Sequence, residues 1–357
     1  MKRVLVLSYY YPPDIGAGSF RTEALVQSLL KSDDVYVQVV SSEPVRYSGY
    51  QPTLGDAEIN DARLSVTRIP SVKHGGGFLG QSISFSVFAW RVLKFCSKSH
   101  YDIVFATSSR LMTAVLGAFL SPRLGAKLYL DIRDIFVETV QGVYPCKVFQ
   151  SIVKCFSWLE GFALKRAEKV NLVSAGFLSY FNSRYRSHEF SLFTNGIDDM
   201  FVPLSVAELQ SSPRDKVRIL YAGNVGDGQG LHRILPDLAA KLGAGYEIIV
   251  LGAGARLAEL KESIAALGVD NIQLLAPVDR VQLLEYYRLA DVLFLHLNDI
   301  AAFERVLPSK LFEYAASGKP ILAGVSGYAA EFILEEISNS AIFPPCNAEA
   351  AAKAILT

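Results

Sequence analysis

The sequence is short of metal ligands at useful spacing. Its four cysteines (Cys96, Cys146, Cys155, Cys346) form no CxxC pair, and the five histidines (His74, His100, His188, His232, His296) are scattered. HExxH is missing as well, so no zinc centre is expected, and the thiols read as reduced core residues of a cytosolic chain. Neither GxSxG nor GxxxxGK[ST] occurs, which removes the serine-hydrolase elbow and the P-loop. Long apolar runs are lacking too. The opening "MKRVLVLSYYYPPD" imitates a signal peptide, but its apolar run is short and breaks at Pro12-Pro13, so it reads as a first strand. "LMTAVLGAFL" (111–120) stops before Pro122, well short of the ~20 residues a membrane span needs. No tandem repeat or low-complexity tract is visible.

What is present is apolar mass. Of 357 residues, 51% are hydrophobic and 20% charged, enough for a large core and two domains. The net charge of zero hides an asymmetry: residues 1–200 hold 22 Lys/Arg against 17 Asp/Glu, and residues 201–357 hold 13 against 18. The basic half suits phosphates or an anionic membrane surface, and no nucleic-acid partner is expected.

Short apolar runs alternate with helical patterns. Strands are expected at 3–9, 35–41, 64–69, 102–107, 127–132 and 169–174, with helices near 19–31, 82–98, 110–120 and 147–168. The second half repeats the scheme with strands at 217–223, 246–252, 271–276, 291–297 and 320–325 and helices near 229–240, 256–267, 280–289 and 309–317. Such alternation calls for α/β architecture with parallel, doubly wound sheets. The break falls in "DDMFVPLSVAELQSSPRDK" (198–216). We expect a Rossmann-like domain over 1–200, a linker over 201–215 and a second Rossmann-like domain over 216–357, facing each other across a cleft with ligands at the strands' carboxyl ends.

Four loops carry candidate chemistry. In "YYPPDIGAGSFRTEA" (10–24), Gly16 and Gly18 let the backbone approach a ligand and Arg21 enters the first helical turn, although a tight turn with structural glycines explains the stretch equally well. It is not GxGxxG, and NAD is not expected. "YAGNVGDGQGLHRI" (221–234) is denser in glycine and also precedes a helix, as an anion site requires. "VLGAGARLAEL" (250–260) offers Gly252 and Gly254, or only a packing turn. "LDIRDIFVET" (130–139) clusters Asp131, Arg133 and Asp134 at a strand end, as catalytic groups or as an ion pair.

The most informative stretch is "VLPSKLFEYAASGKPIL" (306–322). Ser309 can cap a helix that Gly318 and Pro320 end; Leu311, Phe312, Ala315 and Ala316 form its packing face, with Lys310, Glu313 and Ser317 opposite. A lysine at the positive end of a helix calls for an anion.

On these stretches the chain resembles the family 4 glycosyltransferases of GT-B fold, and among them the bacterial enzymes that build O-antigen and capsule units, L-fucosamine transferases included. "PSKLFEYAASGKPIL" is similar to the signature P-S-K-x-x-E-Y-x-A-x-G-K-P, and "YYPPDIGAGSFR", "RDIFVE", "FTNGIDDMF" and "YAGNVGDGQGL" support it. The resemblance implies a retaining sugar transfer without metal or other cofactor. The donor would be a UDP-sugar, such as one carrying FucNAc or GlcNAc. The acceptor would be a polyprenyl-diphosphate-linked glycan, met by a cytoplasmic protein in peripheral contact with the anionic inner membrane. It assigns donor binding to Gly223, Asn224, Gln229, Gly252, Arg305, Ser309, Lys310 and Glu313. Glu313 would hold the ribose hydroxyls as the second acid of an E-x7-E motif, and Ser309 and Lys310 would reach the diphosphate. Gly16, Gly18, Arg21, Arg133 and Asp134 are its catalytic-side candidates, and Asn195 and Gly196 match an interdomain motif.

Two departures qualify that picture. The first acidic position of E-x7-E is Arg305, with Glu304 one residue off; either the loop brings Glu304 to the sugar or the contact is replaced, and replacement is expected. The Arg and Lys that many members aim at the diphosphate are here Asn224 and Gln229, which moves weight onto Lys310. The resemblance also implies further helices beyond Thr357. Two other readings stay open: a UDP-sugar 2-epimerase of the same architecture, and a nucleotide-sugar-binding paralogue without turnover. For the membrane contact, residues 78–98 set Phe85, Phe88, Val92 and Phe95 at helical spacing with Arg91, Lys94 and Lys98 on another face, and 147–169 adds basic and aromatic surface. Core packing explains the apolar spacing as well.

Overall fold

The structure, a computed structural model, describes residues 1–44, 61–70, 77–97, 99–108, 110–143, 147–202 and 215–356. The chain divides into two compact units, Met1–Asn195 and Gly196–Thr357. Most of the expected linker (203–214), together with His74, Lys98 and Cys146, lies outside the described residues.

The first unit runs β1 (Lys2–Leu7), α1 (Ala17–Leu30), β2 (Val35–Ser42), β3 (Leu64–Ile69), α2 (Gly77–Cys96), β4 (Ile103–Thr107), α3 (Leu111–Leu120), β5 (Lys127–Ile132), α4 (Phe136–Val143), α5 (Lys147–Arg166), β6 (Lys169–Leu172), α6 (Leu178–Arg184) and β7 (Phe190–Leu192). Its strands form one parallel sheet in the order β3-β2-β1-β4-β5-β6-β7. In the centre Val4 stands opposite Val37 on one side and Ile103 on the other. Strand order reverses at β1. Right-handed crossovers therefore send α1 to one face of the sheet and α2, α3 and α5 to the other. On the first face Val26 and Leu30 of α1 pack on Val4, Val6, Val37 and Val39. On the second, α3 packs against both α2 and α5. Gly117 brings α3 close: a Cβ there would stand 2.7 Å from Ala106 Cβ.

The second unit runs β8 (Val217–Ala222), α7 (Leu231–Leu242), β9 (Tyr246–Leu251), α8 (Leu257–Leu267), β10 (Ile272–Leu275), α9 (Arg280–Leu289), β11 (Val292–His296), α10 (Lys310–Ala316), β12 (Ile321–Gly324), α11 (Tyr328–Glu336), β13 (Ser340–Phe343) and α12 (Ala348–Leu356). The sheet order is β10-β9-β8-β11-β12-β13, again all parallel. Its strands look uniformly apolar because each face has its own core. Ile219, Tyr221, Ile248, Val250 and Phe294 join one cluster with α7, α8 and α12. Their neighbours Leu220, Ala222, Ile249, Leu251, Leu293 and Leu295 join the other with α9, α10 and α11. Phe201, fully buried, belongs to this second core, so the turn before the expected linker travels with the second unit.

One expected face is corrected. Helix α10 is only seven residues long, and it buries Leu311 and Tyr314, with Ser317 just past its end. Ala315 is exposed, whereas Phe312, half-buried, packs against the core and the Phe332 ring as expected. Three-residue spacing suits this single short turn against the sheet, and Tyr314 Oη accepts from the Ala222 amide at 3.2 Å, which ties α10 to the end of β8.

Candidate functional site

The carboxyl ends of β8, β9 and β11 and the start of α10 form the best-built site of the second unit. At the end of β8, Gly223 has φ +144°, a conformation that side chains rarely adopt. Gly252, at the end of β9, packs directly on it: a Cβ on Gly252 would lie 1.9 Å from the Gly223 carbonyl oxygen. Gly252 therefore serves close packing of two turns, the plainer of the readings its loop allowed.

The loop 224–230 is held by a structural histidine, His296. His296 Nε2 accepts the Cys346 amide at 2.9 Å, so Nδ1 carries the proton and donates to the Gln229 carbonyl at 2.6 Å. Burial pushes its pKa down to about 4, against the pull of the Gln229 bond, so the ring stays neutral at physiological pH. Asn298 holds the same loop through its amide to Gly228 (2.8 Å) and its Nδ2 to the Asp227 carbonyl (2.8 Å). On the loop, Asn224 Nδ2 donates to Gln229 Oε1 at 2.9 Å, so the two neutral residues at the expected cation positions satisfy each other.

Lys310 reaches this loop from α10. Its Nζ lies 3.9 Å from the centroid of Tyr221, and a Cβ on Gly223 would stand 2.5 Å from it. Tyr221 is itself fixed by donating to the Asn224 carbonyl at 2.6 Å. Among the described residues Lys310 is in no ion pair. Its ammonium leans on an aromatic face, a weaker substitute for an anion. Desolvation pushes its pKa down to about 7, with Glu313 opposing. Such a lysine gains most from an arriving anion.

Glu313 stands one turn on. Its Oε2 accepts from Tyr287 of α9 at 2.9 Å. Desolvation raises its pKa, while the Tyr287 bond, Arg280 and Lys310 pull it back. Arg280 pairs with Asp198 and lies over the Phe201 ring, so Asp198 of the "NGID" stretch has a structural anchor. Ser309 takes helical dihedrals and makes no capping bond, which corrects its expected capping role. Arg305 ends a short 3-10 turn, Ala301–Arg305, where it is half-buried and Glu304 exposed. Gly327 (φ +59°) packs on the Glu304 backbone.

In the first unit Gly16 (φ 156°) precedes α1, and its carbonyl accepts from Ser19 and Phe20. Gly18 lies inside the helix rather than in the loop, because α1 begins at Ala17; its carbonyl accepts from Thr22 at 2.7 Å. Arg21 grips buried Asp131 with two parallel bonds of 2.9 and 2.8 Å and donates to the Thr194 and Phe193 carbonyls. Asn171 supplies Asp131 with a further bond of 2.8 Å. The cation that pairs with Asp131 is therefore Arg21 of α1 and not Arg133 of its own loop, which corrects the ion pair expected there. Arg133 donates its amide to Ser108 Oγ at 3.0 Å. Asp134 reaches solvent, yet the protein around it holds its carboxyl up at about 6 against the pull of Arg133.

The roles of Tyr221, Tyr287, His296 and the Arg280–Asp198 pair were not assigned from the sequence. Tyr221 and His296 did carry a signal, since both end or nearly end strands at the sheet's carboxyl edge.

Residues 208–357 match the family Glycosyl transferases group 1, so this stretch carries a group 1 glycosyltransferase domain. A curated relative, D-rhamnosyltransferase WbpZ of Pseudomonas aeruginosa, is 28% identical over 162 residues, 43% of this chain. The match spans 40% of that relative's length. Anabaena Alr3699/HepE, solved in complex with UDP-glucose, superimposes with a TM-score of 0.68 at 16% identity over 100% of this chain and 89% of its own. WaaG, a glycosyltransferase involved in lipopolysaccharide biosynthesis, gives a TM-score of 0.68 at 16% identity over 99% and 90%. The fold is GT-B.

Proposed function

We propose that the chain is a retaining glycosyltransferase that moves a sugar, such as FucNAc or GlcNAc, from a UDP-linked donor to a polyprenyl-diphosphate-linked glycan. It would do so without a metal, in O-antigen or capsule synthesis at the inner face of the cytoplasmic membrane. The observation that carries the reading is Lys310. An ammonium that is in no ion pair among the described residues, held on Tyr221 beside the Gly223 turn, is placed to meet a diphosphate, and Glu313 one turn away can accept from both ribose hydroxyls. A diphosphate leaving an anomeric carbon gains negative charge, which a poised cation and fixed amide dipoles stabilise. The group 1 match over 208–357 and the UDP-glucose complex of a relative of the same fold support a nucleotide-sugar donor. WbpZ and WaaG support a role in surface glycans.

The test is a thermal-shift screen of UDP-, GDP- and dTDP-sugars, followed by transfer assays with membrane extract as acceptor source. A UDP-sugar should raise the melting temperature, and Lys310→Ala and Glu313→Ala should each weaken its binding. Unchanged affinity in both variants overturns the site assignment. The Asn224–Gln229 bond favours a second reading, a nucleotide-sugar binder without turnover, because no second cation reaches out from that loop. Donor binding without transfer to any acceptor would select it.

A further inference from the structure

The face of the first unit built by α2, α3 and α5 combines exposed aromatic rings with cations. Both tryptophans of the chain lie on it, Trp90 on α2 and Trp158 on α5, and they are 62% and 67% exposed. Phe119 at the end of α3 adds a third large apolar side chain, 38% exposed. Trp90 and Phe119 each have a cation beside them. Lys94 Nζ lies 5.7 Å from the Trp90 ring, and the Arg123 guanidinium 3.5 Å from Phe119. Trp158 stacks on Phe162 at 5.9 Å, and Arg166 covers Phe162 at 4.0 Å. Lys154 and Lys165 are exposed on the same helix. The three helices contain one carboxylate between them, Glu160, and it is buried, accepting from Tyr180 and Tyr185 at 3.0 Å each. Phe85, Phe88 and Val92 are buried beneath, so the exposed rings are surplus to the core.

We infer that this face docks on an anionic phospholipid surface, the aromatic rings entering the headgroup–acyl boundary and the cations meeting lipid phosphates. Exposed tryptophan with neighbouring Lys and Arg is the composition such interfaces select, because the ring is apolar with one polar edge and the long cationic side chains keep their heads in the polar layer. The absence of any exposed carboxylate on the three helices supplies the charge complementarity. The inference stands on this face alone and does not depend on the transferase reading, though it gives the membrane contact an address.

Because the chain has only two tryptophans, intrinsic fluorescence reports this face directly. The full chain is mixed with vesicles of phosphatidylcholine alone or of phosphatidylcholine with phosphatidylglycerol. Co-sedimentation is expected with the anionic vesicles only, with a blue shift of emission, quenching by brominated acyl chains and weakening at high salt. Lys94→Glu with Arg166→Glu should cut binding at least about fivefold for each charge. Trp90→Ser with Trp158→Ser should cut it further with an unchanged melting midpoint, since neither ring is in the core. No binding to anionic vesicles overturns the inference. So does binding without a shift in emission, or binding that these variants leave intact. Self-association of the chain that the tryptophan variants abolish, without vesicle binding, assigns the face to a second copy instead.

Discussion

Arg21 and Lys310 are both cations in the opening turns of a helix, and they have opposite fates. Arg21, in the first unit, grips buried Asp131 with two bonds and two carbonyls with the rest. Lys310, in the second, has an aromatic ring, a glycine and, among the described residues, no ion pair. Both look like anion sites in the sequence, since each follows or faces a glycine-rich turn. The difference is where the counter-charge comes from. A cation that finds its carboxylate inside its own unit is part of the architecture. One that does not is left open to an anion from outside.

The largest expected effect tests the architectural half. Arg21→Ala leaves Asp131 buried without its cation and should cost about 3 kcal/mol of stability, read as a lower denaturation midpoint. A neutral result would make Arg21 as dispensable to the fold as Lys310. Next, Lys310→Ala removes a desolvated ammonium, so near pH 7 it should raise the midpoint rather than lower it, and it should weaken UDP-sugar binding roughly tenfold or more by calorimetry, the scale of a charged hydrogen bond. Loss of stability with intact binding would reverse the comparison.

The third effect is the pH dependence of that binding. The lysine titrates at about 7, so the charged fraction falls about tenfold between pH 6 and 8, and UDP-sugar affinity should fall with it. Its folded pKa lies below the unfolded value, so the folded chain binds fewer protons from about pH 7 to 10.5, and this residue's contribution makes stability rise with pH across that window. In Lys310→Ala both slopes should disappear. The smallest effect is expected from Asn224→Ala, under about 1 kcal/mol in stability, because a half-exposed amide pair is replaced by solvent contacts. A large loss of donor binding there would mean that the neutral pair touches the ligand after all.

The fold was legible because its strands and helices alternate at the two periods, and thirteen-strand order follows from that alternation only with crossover handedness added. The sheet-end strands β7 and β13 were not, since three or four residues of mixed character carry no period. Helix α10 announced Lys310 and Glu313 through its charges, but its packing face was misjudged because a seven-residue helix tied to β8 by Tyr314 need not follow a full amphipathic stripe. The roles of Tyr221 and His296 stayed hidden, despite their place at strand ends, for a different reason. A buried aromatic at a strand end reads as core, and only the fold brings Lys310 over Tyr221 and Cys346 to His296. Arg21 shows the reverse error: its charge was plain, but its partner lies 110 residues along the chain.

The contact between Gly252 and the Gly223 carbonyl sets a rule for how this chain can vary. A methyl group at 252 requires the turn at 223 to withdraw, and that turn lies under the Lys310 ammonium. Substitutions at the two glycines are therefore epistatic, and a library that randomises them one at a time will call both intolerant. The accessible route to a differently shaped turn beneath Lys310 passes through simultaneous change at 223, 252 and 310.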